Sequence, residues 1–530
     1  MLFTSYEFLE FLLLLFLLYY ILPRRWQWKL LLGASFLFYF YAGPVYCVYI
    51  AVTILTTWFA GRRIEAARSK RDSWLQEHKG SLSKEEKKSY KTKIKHRTWL
   101  WTLGCLLLNL GILAVVKYTN FVIANINSVL ETVGSGGKLD FLDIIVPLGI
   151  SFYTFQSMGY IIDVYRGTVE AEKNPFRFAL FVSFFPQLIQ GPISRFGDLK
   201  QTLFEEHSFD RQTVYLGLQR ILWGFFKKLV IADRILAGVN TLIHDADTYR
   251  GAYVFVGMLF YALELYADFT GGIDITIGIA QTLGIKVTEN FNRPYFSKNI
   301  KEYWNRWHIT MGSWFTDYIF YPISVCKPML KLSKFSRSHF GEVIGKRVPV
   351  YLSSFVVWFA TGIWHGASWN FIAWGLGNWL VIMVSQELEP LYKRFHHRFA
   401  VRGRFGFRLF QVVRTVLLMS VLRLFDCYRD VPLTFRMFGS MFSEGNWNIL
   451  WNGALLNIGL SAVDYVILLC GLVLLITVSL VQRSGSVRAK IGRLPYWGRF
   501  AIWYGLFLVV LLAGAYGAGY DSSQFIYNQF

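Results

Sequence analysis

Residues 62–97 read RRIEAARSKRDSWLQEHKGSLSKEEKKSYKTKIKHR, and this polar, basic stretch decides the fold by its contrast with what surrounds it. Apolar runs begin before it near Phe8, Trp28 and Val45, and after it near Trp99, Phe141, Phe178, Val214, Tyr253, Tyr351, Phe371, Leu409, Tyr465 and Phe500. Runs of this length cross a bilayer or form half of a hairpin, so an all-α, polytopic membrane protein with about eleven to thirteen transmembrane helices is expected.

The Lys/Arg excess of residues 62–98 assigns them to the cytoplasm as a basic loop, the topological anchor of the chain. Pro23-Arg24-Arg25 and Lys29 fall on the same side if residues 28–60 form a hairpin turning at Gly43-Pro44, which leaves the N-terminus extracytoplasmic. Further basic clusters at Lys227-Lys228 and in residues 327–346, 393–408 and 483–493 read as cytoplasmic rims. A last span from Phe500 to about Tyr516 then places the tail, residues 521–530, outside.

Composition agrees. Of 530 residues, 54% are hydrophobic, 18% aromatic and only 17% charged, too little polar surface to cover soluble cores. A net charge of +21 raises the question of nucleic acid, but the basic residues lie in short clusters between apolar runs, the pattern of a polytopic protein and not of a nucleic-acid face. Cys47, Cys105, Cys326, Cys427 and Cys470 are scattered and form no CxxC pair, so neither a disulfide framework nor a metal site is expected. Residues 8–22 lack a basic region in front and a small-residue cleavage site behind, and read as a retained first span. With no internal repeat and no low-complexity linker, residues 1–530 read as one helical domain.

Ionisable groups at membrane depth cost on the order of 2.5–3.5 kcal/mol each, so each calls for a partner or a function. Trp304-Asn305-Arg306-Trp307-His308 is too polar for lipid and runs on through Ser313, Trp314 and Asp317. As a helix it sets Trp304 and His308 on one face with Asn305 beside them. That arrangement suits a polar head group entering an apolar tunnel, and equally an interfacial helix with tryptophan anchors and a satisfied histidine. Trp364-His365-Gly366 lies inside the apolar residues 350–384. Apolar surroundings hold an imidazole in the neutral form a general base requires, and the glycine admits a backbone or thioester close by; a helix-packing histidine is the structural alternative. More than fifty residues separate the two segments, so only the fold can join them. A third set, Val146-Pro147-Leu148-Gly149, Asp163 to Gly167 and Pro186 to Pro192, breaks helices and reads as cavity-shaping. Glu264, Asp268 and Asp274 read as members of structural ion pairs.

The stretches VPLGISFYTFQSMGYIIDVYRG, FFPQLIQGPISR, GFFKKLVIAD, LYADFTGGIDITIGIAQTLGI, ENFNRPYFSKNIKEYWNRWHITMGSWFTDYIFYPI and WHGASWNFIAWG resemble the membrane-bound O-acyltransferases, in particular the bacterial branch that acylates cell-envelope polysaccharides. The resemblance implies a ring of helices around a thinned centre with a central tunnel. It implies His365 as the catalytic histidine, with His308 in the second His/Asn position of the same tunnel; Trp304, Asn305 and Asp317 are expected to contact substrate. It also implies a cytoplasmic thioester donor, with acetyl-CoA expected, and no bound cofactor or metal. The acyl group would pass to an extracytoplasmic SGNH-hydrolase-like acyltransferase and a cell-envelope polysaccharide. The ending Phe525-Ile526-Tyr527-Asn528-Gln529-Phe530 fits an F-x-Y-x-x-F pattern in which Tyr527 would carry the acyl group, or else forms an interfacial aromatic belt. After Tyr321-Pro322-Ile323 the chain departs from the alginate-acetylating members, with a basic stretch, residues 326–347, in place of a Gly-Gly-Asn-Arg turn. Two other functions suit the same histidines: D-alanyl transfer to teichoic acid from an acidic acyl carrier protein docked on residues 62–98, and a transporter or flippase with a histidine proton relay.

Overall fold

A computed structural model describes residues 3–134 and 136–516. These residues are helical with no strand among them. Among the described residues, six helices are long and apolar enough to cross a membrane: Lys84–Val133, Ala252–Thr282, Lys327–His365, Phe405–Tyr428, residues 462–484 and Tyr496–Ala513. Others of the expected spans are shorter, such as the 16-residue helices Tyr6–Ile21 and Gln27–Ala42. The chain is an all-α membrane protein. Its contacts divide it into two compact units, residues 1–214 with 280–287, and residues 215–279 with 288–530.

In the first unit, the Gln27–Ala42 helix stops at Gly43 and the next begins at Tyr46, so the turn falls where Gly43-Pro44 places it. Phe8, Phe11, Phe38 and Phe185 pack edge-on and tilted at 5.3–6.4 Å around one centre. The buried Gln27 amide is fully used: it donates to the carbonyls of Tyr19 and His207 at 3.1 and 2.8 Å and accepts from the His207 N–H at 2.8 Å. The helix-breaking stretches pack on one another. A Cβ on Gly149 would stand 2.3 Å from the Leu188 carbonyl, and the Leu148 carbonyl accepts from the Tyr39 hydroxyl at 2.9 Å. Irregular backbone is thus covered by protein, as an apolar setting demands.

Residues 62–98 are not a loop. The Tyr46–Glu77 and Lys84–Val133 helices run through them and leave only a short turn between. Ile64, Ala67 and Ile94 are buried at helical spacing, and Trp74 packs against Tyr90 at 4.0 Å, giving the hairpin an apolar seam under its charges. Ser83 and Glu86 form a reciprocal capping box that starts the second helix. Counting charge alone hides this seam.

In the second unit, buried charges come in pairs. The Lys228 ammonium lies 2.6 Å from both Asp233 and Asp268, and Lys227 lies 2.6 Å from Asp274, which Arg220 also meets at 2.8 Å. The structural roles read for Asp268 and Asp274 hold. Glu264 is buried with its Oε2 in no hydrogen bond. Lys227 and Lys228 lie within a π-helical turn, Phe226–Ala232, and are buried there rather than at a rim.

Candidate active site

The Lys327–His365 helix, kinked at Gly341, delivers His365 at its last turn, where Gly366 ends it in extended backbone. The following helix, Trp369–Glu387, folds back against it. The return is tight because the crossing is made of glycines: a Cβ on Gly375 would lie 2.5 Å from the Trp358 carbonyl, and one on Gly362 would lie 2.6 Å from the Phe371 carbonyl. A Cβ on Gly366 would lie 2.1 Å from the Phe371 ring. The WHG sequence therefore serves packing directly: Phe371 occupies the space that a side chain after His365 would fill.

His365 itself is half-buried among aromatic rings. Trp374 meets it edge-on at 4.7 Å, Trp364 at 5.0 Å, and Phe371 lies parallel to it at 6.4 Å. Trp374 is fully buried and carries the Arg423 guanidinium over its face at 4.9 Å; Arg423 is also 5.2 Å from Trp307 and 2.7 Å from the Asp426 carboxylate. A cation between two indoles, neutralised by its own carboxylate, fixes the far wall of the site.

His308 arrives differently from the helical expectation. The Ile300–Trp304 helix ends before it, the Ile309–Phe315 helix begins after it, and His308 has left-handed backbone at φ 47°, ψ 52°. Trp304 and His308 are therefore not on one helical face, and Asn305 is exposed at the end of the first helix. Left-handed backbone costs a non-glycine residue about 1–3 kcal/mol, and here Asn290 supplies the compensation. Its carbonyl accepts from the Ile309 N–H at 2.9 Å, and its side-chain Oδ1 accepts from the Thr310 N–H and hydroxyl, both at 3.0 Å. The same Oδ1 is 3.3 Å from His308 Nδ1. An Nδ1–H donated there puts the lone pair of a neutral imidazole on Nε2. Asn290 is fully buried, and in the sequence it is one residue of an Asn-Phe-Asn-Arg-Pro run in which nothing local marks it as a partner of His308.

The fold brings the two histidines to one indole. Trp364 lies 6.0 Å from the His308 ring and 5.0 Å from the His365 ring, and Phe269 closes on His308 at 4.9 Å. Trp304 joins the same wall, 5.8 Å from Trp374 and 4.8 Å from Trp358, with its indole N–H donating to Asn378 at 3.2 Å. Asp317 is half-buried in a π-helical turn, Thr316–Phe320, two residues beyond Phe315, whose ring faces Trp364 at 6.5 Å. Tyr527 and the tail, residues 521–530, lie outside the described residues.

His308, between two helices, and His365, at the end of a third, share an aromatic wall. A probable alginate O-acetylase of Azotobacter vinelandii is 33% identical over 454 residues, 85% of this chain and 79% of that protein. The chain belongs to the membrane-bound O-acyltransferase family. The profile of that family matches residues 171–425, which contain both histidines, Asn290 and Arg423. A peptidoglycan O-acetyltransferase of Helicobacter pylori is 30% identical over 56% of this chain and 57% of that protein. A teichoic acid D-alanyltransferase of Bacillus subtilis is 28% identical over 47% of this chain and 61% of its own length. As a member of the membrane-bound O-acyltransferases, the chain is an acyltransferase.

Proposed function

We propose that this acyltransferase moves an acetyl group from a cytoplasmic thioester, acetyl-CoA, toward hydroxyl groups of a cell-envelope polysaccharide, with His365 as general base. What supports the reading is the meeting of His308 and His365 on Trp364 in a chain with relatives named for O-acetylation. The acceptor oxygen attacks the thioester carbon while His365 takes its proton. The C–S bond then breaks, and the same proton passes to the departing thiolate. His308 and Trp304 orient the donor, and Asn290 sets the tautomer of His308. In this scheme Asn305 and Asp317 contact substrate at the margin of the site.

The first acceptor in this scheme is Tyr527, which passes the acetyl group to an extracytoplasmic SGNH-hydrolase-like acyltransferase. That route requires both termini outside the cell membrane and the basic helical hairpin inside. D-alanyl transfer from a charged carrier protein would use the same two histidines, but the relatives named for it match about half of the chain.

Purified chain incubated with carbon-labelled acetyl-CoA, followed by mass spectrometry of its C-terminal peptide, tests the scheme. An acetyl group on Tyr527 that disappears in His365→Ala is the expected result. Labelling from D-alanyl carrier protein in its place would reassign the donor, and catalytic turnover without modified Tyr527 would remove that residue from the route.

A further inference from the structure

Gly341 breaks the Lys327–His365 helix with φ 76° and ψ 167°, backbone that is essentially confined to glycine. The chain turns sharply there. A Cβ on Gly345 would lie 2.4 Å from the Arg337 Cα, whereas eight residues of straight helix would separate those positions by about 12 Å. Residues 327–340 therefore form a helix of their own, folded back on the start of residues 342–365. Residues 348–364 carry no charged side chain and belong to a helix apolar enough to cross a membrane, so the fold-back sits where that span leaves the bilayer.

Met329 and Ser336 are buried and fix the side of the folded-back helix that packs on the protein. Lys327, Lys331 and Lys334, at i, i+4 and i+7, fall on the opposite side, with Arg337 next to them, and all four are exposed. Glu342 is the one carboxylate in residues 327–347 and pairs with Lys346 at 2.8 Å, while Arg347 pairs with Glu387. Among the described residues, none of the four cations on the ridge lies within ion-pair distance of a carboxylate. Leu330 and Phe335 flank the lysines, and Phe340, Val343 and Ile344 stand 54–66% exposed at the turn. Exposed cations interleaved with exposed apolar side chains, at the edge of a membrane span, match a surface that is negative on top and apolar a few ångströms below. An anionic bilayer surface has both properties.

We infer that the folded-back helix docks on anionic lipid head groups, with Lys327, Lys331, Lys334 and Arg337 meeting their charge and Phe340, Val343 and Ile344 entering the acyl boundary. The inference does not rest on the proposed function.

The test places the photo-cross-linker benzoylphenylalanine at position 340 of the full chain, in nanodiscs of equal parts phosphatidylglycerol and phosphatidylcholine with identical acyl chains. Both faces of such a disc are alike, so the orientation of the chain does not enter. Mass spectrometry of the adducts is expected to show phosphatidylglycerol over phosphatidylcholine by at least about threefold. The excess falls to near parity when Lys327, Lys331, Lys334 and Arg337 are all replaced by Gln. It survives when the three lysines become Arg and Arg337 becomes Lys. Raising the salt from about 0.1 M to 1 M, which shortens the screening length from about 10 Å to 3 Å, shrinks it. Melting temperatures within a few degrees of the parent certify folding of the variants. Parity of the two lipids on the parent, an excess that persists in the folded Gln variant, or cross-links to a protein in place of lipid overturns the inference.

Discussion

Asn290 Oδ1 gathers the Thr310 amide, the Thr310 hydroxyl and the His308 ring at 3.0–3.3 Å, so one amide oxygen holds both the backbone and the tautomer of His308. Asn290→Ala removes the acceptor used by the buried Thr310 amide, at a cost of about 1–3 kcal/mol, and takes away the contact that orients the imidazole. The expected outcome in steady-state kinetics is a fall in kcat of roughly tenfold or more with a smaller change in KM. Asn290→Asp, which keeps an acceptor oxygen, recovers part of it; a loss of stability with kcat unchanged in the folded fraction would reduce Asn290 to scaffolding. From the sequence the histidines stood out because an imidazole in an apolar run needs explaining. Asn290 did not, because nothing local links it to a histidine 18 residues further on.

The helix ending at His365 and the one returning from Trp369 are locked by the absence of side chains at Gly362, Gly366 and Gly375. Gly366→Ala forces a methyl into the Phe371 ring, and overpacking of this kind costs typically about 1–3 kcal/mol. Thermal unfolding in detergent is expected to register it as a lower Tm, together with reduced turnover because Phe371 also faces His365; an unchanged Tm would mean that Phe371 moves aside freely. At the tip of the basic hairpin, Ser83→Ala removes a cap worth about 0.5–2 kcal/mol, and hydrogen exchange should quicken in the first turns of the Lys84–Val133 helix without any change near the histidines. The sequence read this hairpin as a loop because its charges outnumber its apolar seam. It read residues 304–308 as one helix because φ 47° at a histidine leaves no mark in composition. The turn at Gly43-Pro44 was legible, since there the chain carries its own breakers.

Across the molecule, the apolar character of the long helices and the pairing of buried charge follow from one constraint, the cost of an unsatisfied polar group away from water. That constraint is why a helical membrane fold and the pairing of Asp268 and Asp274 could be expected from the sequence, while the partners Lys228, Lys227 and Arg220 needed the fold to be found. Lys228→Met removes the shared cation of Asp233 and Asp268, and breaking a buried pair from one side costs about 3–5 kcal/mol, so the yield of folded chain after solubilisation should fall sharply. Adding Asp268→Asn should return part of that yield, and an unaffected single variant would mean that water reaches the cluster. The same fold carries both His308 and His365 against Trp364, which is the central claim about function. Its most direct test is single-turnover transfer from labelled acetyl-CoA by the full chain in nanodiscs, comparing the parent with His365→Ala of matched Tm. Loss of roughly 10²–10⁴-fold in the transfer rate, with donor binding retained, is the predicted result; transfer at the parental rate by folded His365→Ala would contradict it.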